Sequence, residues 1–230
     1  QGEFIAFMDS DDWYPDKKVL ETLYTNAIAN KVKIAGGSFV RYYADGRIES
    51  EFSGVYKAYK FEKEGLISYT DYQFDYGYHR FIYNLAMLKE NNIVFPDYRR
   101  FQDPPFFVNA MLAAEKFYAI KSPVYAYRKG HQVIQWDIAK LTGLIRGLQE
   151  DLMLSRRNKL ANLHGMTVMR LEKEFKKIVL ENLKSNISEG VKFALYRFYS
   201  TIDLELIAAS TFPFKFEESE IITKLKFTYN

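Results

Sequence analysis

The stretch GEFIAFMDSDDWYP, residues 2–15, decides how the rest of the chain is read. An apolar run from Phe4 to Met8 has the composition of a buried strand and ends abruptly in three carboxylates within four residues, Asp9, Asp11 and Asp12. If the chain stays extended through Asp9-Ser10-Asp11, the carboxylates two positions apart project to the same side. At roughly 5 Å their repulsion is about 1 to 3 kcal/mol at effective dielectric constants of 80 to 20, and a divalent cation reverses its sign. Hard oxygen ligands in small number suit Mg2+ or Mn2+ completed by phosphate oxygens better than an all-protein Ca2+ cage. The competing reading is a polar loop that caps the next helix, with Asp11 or Asp12 near its N-cap and Asp16 in its first turn.

With 230 residues, of which 48% are hydrophobic, the chain can build a sizeable core in one large or two small domains. The 32 Lys and Arg nearly balance the 29 Asp and Glu, so the net charge of +3 gives no argument for nucleic acid as a partner, and none is expected. A mildly basic surface favours anionic ligands or lipid headgroups. The absence of cysteine excludes a disulfide framework, a thiolate zinc site and a Cys nucleophile, and it accords with a reducing cytoplasm. No apolar run approaches the ~20 residues of a membrane-spanning helix.

Local patterns predict the elements. Pro15 stands where a first helical turn tolerates it, and Val19, Leu20, Leu23, Tyr24 and Ile28 recur at helical spacing to about Asn30. Residues 33–43 read as a strand, Ala44-Asp45-Gly46 as a turn and residues 47–52 as the returning strand of a hairpin. Residues 54–78 are rich in aromatics with weak periodicity and are expected to be a helix plus loop; residues 81–89 and 106–115 read as helices. Short strands are expected at 117–120 and 124–128, around Ser122-Pro123. From about Gln132, Pro and Gly become scarce and helices are expected over 137–156, 167–184 and 191–209. Two parts follow, residues 1–131 and a helical region 132–230.

In this context GEFIAFMDSDDWYPDKKVLETLY resembles the metal-binding DxD segment of glycosyltransferase family 2, which has the GT-A fold. The stretch NLAMLKENNIVFPDYRRFQDPPFFVNAMLAAEKFYAIKSPVYAYRKG resembles that family's acceptor-side segment, where an acidic pair starts a helix and a short strand ends in Tyr-x-Tyr-Arg. The resemblance covers roughly residues 1–131. It implies an α/β fold, the C-terminal part of a GT-A mixed sheet with flanking helices, followed by a helical region to which no motif speaks. It also implies an inverting transfer of a sugar from a nucleotide-diphospho-sugar donor to an acceptor hydroxyl, on a saccharide or lipid-linked acceptor, in bacterial surface polysaccharide or glycoconjugate synthesis.

Residue by residue, the resemblance gives Asp11 the metal, Mg2+ or Mn2+, bridged to the donor diphosphate. Asp9 faces the nucleoside side of the donor, and Asp12 assists the sugar or caps the first helix. Asp103 matches the family's catalytic base, although Gln102 stands where the family commonly has Glu. Arg128, Lys129 and His131 lie where a loop closes over the diphosphate, with solvated loop residues as the alternative. His79-Arg80 reads as a surface pair or as part of the acceptor side, and His164 as structural. Because the family keeps its nucleotide-binding half before the DxD, a motif at residue 9 implies that this half is missing and that the chain alone binds sugar nucleotide weakly. A cytoplasmic place at the inner face of the membrane is expected, with peripheral association and oligomerisation left open.

Two other classes compete with this reading. A haloacid-dehalogenase-like phosphatase also places DxD after an apolar strand, but Asp12 and Trp13 stand where its motif carries Thr or Val. The other is a non-catalytic interaction module whose helical region docks a partner.

Overall fold

The computed structural model describes residues 2–130, 134–184 and 188–227. It divides into two units, Gln1–Val94 with Phe106–Gln135, and Phe95–Pro105 with Trp136–Asn230.

The first unit is a mixed sheet with flanking helices. Its strands are β1 (Phe4–Ala6), β2 (Ile34–Tyr43), β3 (Ile48–Glu49), β4 (Gly65–Ser68), β5 (Phe81–Asn84) and β6 (Lys116–Lys129), in the order β1-β5-β2-β6-β4 with β3 paired to β2. Only the β2–β6 pairing is parallel. Because β5 runs antiparallel to both β1 and β2, the strands β1, β2 and β6 all point the same way. Their C-terminal ends therefore share one rim of the sheet, where open α/β sheets bind ligands.

Helix α1 (Val19–Ala29) lays Val19, Leu23 and Ala27 on the sheet against Val32, Ala35, Ile82, Ile120 and Val124. It starts four residues after Pro15: the Asp16 side chain accepts from the Lys18 N–H at 2.7 Å and the Asp16 carbonyl from the Val19 N–H, so a side-chain turn, not the proline, opens it. The pair Gly36-Gly37 lets other elements approach β2 closely. A Cβ on Gly36 would lie 1.9 Å from the Phe81 ring, and one on Gly37 would lie 2.4 Å from Val124.

The hairpin β2–β3 forms as expected, with a shorter return strand. Three expectations change. Residues 81–84 are a strand, not the start of a helix, because Phe81-Ile82-Tyr83-Asn84 is buried on both faces between β1 and β2. Asn84 then accepts from the Met87 N–H at 2.9 Å and opens helix α3 (Leu85–Glu90). The aromatic segment before it holds strand β4 and the short helix α2 (Tyr69–Tyr72), with single 3-10 turns at Gly54–Tyr59 and Tyr78–Arg80. The two strands expected around Pro123 are one, β6, whose irregular register beside Gly37 and Ser38 accommodates the proline.

Buried Arg80 organises the aromatic segment. Its guanidinium donates to the carbonyls of Gly37 (2.8 Å), Tyr59 (3.1 Å) and Ala58 (2.8 Å) and to the Tyr72 hydroxyl, with Phe61 and Phe81 over its faces. Burial lowers its pKa.

The second unit is helical: α5 (Ile138–Arg157), α6 (Ala161–Met169), α7 (Lys176–Lys184), α8 (Glu189–Thr201), α9 (Leu204–Ala209) and α10 (Glu220–Phe227). A π turn, Arg170–Glu174, divides the helix expected over 167–184. The helix expected over 191–209 breaks at Asp203, whose carboxylate accepts from the Glu205 and Leu206 N–H groups and caps α9. His164 is fully buried between the Ser155 hydroxyl (2.8 Å at Nδ1) and the Asp203 N–H (2.9 Å at Nε2). Nε2 is therefore the acceptor, the proton sits on Nδ1, and burial holds the pKa down at about 4. Helix α4 (Asp103–Ala114) begins in the second unit at Asp103–Pro105, and its remaining residues belong to the first.

Candidate functional site

The carboxylates follow β1 onto the rim where β1, β2 and β6 end. The chain does not stay extended there: the Asp12 N–H donates to the Asp9 carbonyl at 3.2 Å, closing a turn around Ser10-Asp11. Immediately afterwards Trp13 forms an antiparallel bridge with Ala126 of β6, through N–H to carbonyl bonds of 3.2 and 2.9 Å. The acidic turn is thus fastened at both ends, by β1 before it and by β6 after it.

Asp12 and Tyr125 make the fastening. Asp12 is only 8% exposed; its Oδ2 accepts from the Tyr125 hydroxyl at 2.8 Å and its Oδ1 from the Arg128 N–H at 2.8 Å. The same hydroxyl accepts from the Asp9 N–H at 3.1 Å. Burial raises the Tyr125 pKa, and the neighbouring Asp12 and Asp9 charges add to the rise, so the phenol stays a donor. Both Asp12 oxygens face inward, and the helix-cap alternative does not apply to it, since the residue before α1 is Lys18. The resemblance's sugar-contacting Asp12 is, in this geometry, the group that shapes the turn.

Asp9 is exposed and Asp11 half-buried. Partial burial of the Asp9 carboxyl raises its pKa, and the charges of Asp12 and then Asp11 push the same way. Burial is the larger cause, and the repulsion from the neighbouring carboxylates that adds to it is one a bound cation would relieve. Among the described residues no group of three or more His, Asp or Glu is arranged to hold a metal unaided. One or two carboxylates at an open turn fit a metal that keeps most of its shell as water and substrate oxygen, as Mg2+ and Mn2+ do in phosphate sites.

Arg128, at the end of β6, donates through Nε to the Asp11 carbonyl at 3.1 Å and lies over the Trp13 ring at 5.5 Å. Its cationic head is thereby kept beside the acidic turn. Trp13 in turn packs on Tyr42 of β2 at 4.8 Å. His131 lies outside the described residues. Asp103, half-buried at the head of α4, belongs to the second unit. The structure therefore brings Asp9, Asp11, Asp12 and Arg128 together, and Asp103 is described with its own unit.

Sequence reasoning gave Tyr125 no role, although it stands in the Tyr-x-Tyr-Arg stretch that supports the resemblance; its distance from Asp12 along the chain hid the contact. His79 was read as surface or acceptor side. Its ring nitrogens are buried without hydrogen-bond partners, the ring lies 4.1 Å from that of Tyr125, and burial lowers its pKa to about 3. It packs as a neutral imidazole behind Tyr125.

Comparisons with known proteins bear on this geometry. The model of the family described as glycosyl transferase family 2 matches residues 1–91. No curated protein matches the chain. Among solved structures, S. aureus TarS residues 1-349 in complex with UDP-GlcNAc superimposes with a TM-score of 0.61 at 17% identity, over 91% of this chain and 60% of that one. A second structure of S. aureus TarS 1-349 gives 0.60 at 15% identity, over 91% of this chain and 59% of that one. A longer TarS structure gives 0.54 at 18% identity, over 91% and 36%. The chain thus spans about 60% of the length of the 1-349 structures. The family-model match thus covers residues 1–91, and the likeness to the TarS structures shows the fold, a mixed α/β sheet with flanking helices of the GT-A kind.

Proposed function

We propose that the chain is the DxD-bearing and acceptor-side part of an inverting glycosyltransferase that moves a hexosyl group from a nucleotide-diphospho-sugar to an acceptor hydroxyl. The observation that carries this reading is the acidic turn itself. Asp12 accepts from the Tyr125 hydroxyl and the Arg128 N–H, and this fixes at a sheet rim the turn that carries exposed Asp9 and half-buried Asp11.

Asp11 would hold Mg2+ or Mn2+, with Asp9 towards the nucleoside side. When bound, the metal supplies electrostatic stabilisation to the leaving diphosphate. Arg128 adds a fixed positive charge beside the turn. Asp103 takes the proton from the acceptor hydroxyl as that oxygen attacks the anomeric carbon and the bond to the diphosphate breaks; a single displacement inverts the centre. The UDP-GlcNAc complex of TarS supports a nucleotide-sugar donor of this class. Surface polysaccharide or glycoconjugate synthesis in the cytoplasm, at the inner face of the membrane, belongs to the same proposal. No described helix is long and apolar enough to cross a membrane.

The test uses the polypeptide as its organism makes it, with transfer followed by product formation. Asp11→Ala and Asp103→Asn each abolish transfer while leaving the fold intact, and Asp11→Ala also removes metal-dependent donor binding. Retained turnover in either variant removes that residue from the mechanism.

A further inference from the structure

Within the second unit, the segment leading to Asp103 is bound along one face of α5. The Tyr98 hydroxyl donates to Glu150 at 3.1 Å. At Gly143, a Cβ would stand 3.2 Å from the Arg100 carbonyl and 3.3 Å from the N–H nitrogens of Arg100 and Arg99. At Gly147, a Cβ would stand 2.4 Å from the Phe101 carbonyl oxygen and 2.9 Å from its ring. Glycine inside a helix is destabilising relative to alanine, and α5 carries two of them facing this segment. The backbone of residues 99–101 occupies the space that side chains would fill.

Phe101 itself is held at φ 66°, the left-handed region that bulky residues avoid, and is 5% exposed. Its ring meets that of Phe175 edge-on at 6.1 Å, and the Arg100 guanidinium lies 6.0 Å from the Trp136 ring. Such a conformation persists only where the surroundings over-determine it. Here those surroundings are α5 and the residue just before the π turn's neighbour α7, and the conformation is imposed two residues before Asp103.

We infer that Gly143 and Gly147 of α5 are positioning residues that act through the left-handed Phe101 to set the placement of Asp103. The inference rests on the reading of Asp103 as the acceptor base. On this view the helical unit is a template for the catalytic carboxylate, and its glycines matter to the chemical step, not only to folding.

The test is steady-state transfer by the polypeptide as its organism makes it, with kcat and donor KM determined separately and melting temperature recorded. Gly147→Ala, where the added carbon meets backbone at 2.4 Å, lowers kcat on the order of 10- to 100-fold while donor KM stays within about twofold, as displacement of a catalytic group does. Gly143→Ala, with contacts near 3.2 Å, lowers kcat by less, roughly two- to tenfold on the same argument. It decides the matter if Gly147→Ala does not fold. Gly190→Ala, whose Cβ meets only the Ser188 hydroxyl at 3.4 Å, leaves both parameters unchanged. A folded Gly147→Ala or Gly143→Ala enzyme with parental kcat, or one in which donor KM moves with kcat, overturns the inference. Asp103→Asn in parallel separates this outcome from failure of the underlying reading: retained transfer there removes Asp103 as the base whatever the glycine variants do.

Discussion

Replacing Tyr125 by Phe tests whether the acidic turn is shaped by one hydroxyl. The ring is fully buried and Phe retains its packing, so the substitution removes two hydrogen bonds and little else. The bond donated to Asp12 Oδ2 at 2.8 Å goes to a buried carboxylate, and hydrogen bonds to charged groups contribute about 1.5–3 kcal/mol. The bond accepted from the Asp9 N–H at 3.1 Å contributes about 0.5–1.5 kcal/mol, partly recovered by water because Asp9 is exposed. A loss of about 2–4 kcal/mol is expected from these together.

The chain has two tryptophans, Trp13 bridged to β6 beside the turn and Trp136 in the second unit, so a Trp136→Phe background leaves Trp13 as the reporter of the first unit. Urea unfolding followed by its fluorescence should show the midpoint falling by roughly 1 M or more, given m-values of about 1–3 kcal/mol per M. In a double-mutant cycle with Asp12→Asn, the two substitutions should couple by at least about 1 kcal/mol, since they share one contact. A Tyr125→Phe midpoint within about 0.2 M of the parent, or additive single effects, would refute the reasoning.

Two further outcomes concern stability. Above pH 6.5, folded and unfolded chains both carry a neutral His164 and stability is complete; as pH falls towards the folded value of about 4, the unfolded chain binds a proton that the folded one refuses. The second unit, followed by Trp136 in a Trp13→Phe background, should therefore lose about 1.5 kcal/mol between pH 6.5 and 5, and His164→Gln should flatten that slope. A slope unchanged by the substitution assigns the proton elsewhere. His79, held at about 3, acts with the same sign in the first unit. Arg80→Lys replaces a planar fork bonded to three carbonyls with a single ammonium that cannot reach all of them, and should destabilise the first unit by more than about 3 kcal/mol in the same urea assay; a near-neutral result would show that the carbonyls find other donors.

The order of elements around the acidic turn was legible from local pattern. An apolar run ending in carboxylates, a helical periodicity from Val19 to Ile28 and the Ala44-Asp45-Gly46 hairpin each depend on residues near one another in sequence, where periodicity and turn chemistry speak directly. The GT-A class came from the resemblance of two stretches to a known family, not from these patterns alone. What local pattern misassigned was Phe81–Asn84, whose aromatic and branched residues, followed by a good helix, read as helix until burial between β1 and β2 made them strand. The segment Phe95–Pro105 likewise groups with the helical unit, although nothing in its composition separates it from its neighbours.

Which of the carboxylates is held inside the fold was decided by tertiary structure alone. Three aspartates in four residues are equivalent candidates on paper. Asp12 is distinguished by a tyrosine 113 positions away, brought to it where the chain beyond β1 pairs with β6. A hydroxyl and a main-chain N–H bind one of the three carboxylates inside the fold, and that selection lies in the pairing of distant strands, which no window of sequence contains.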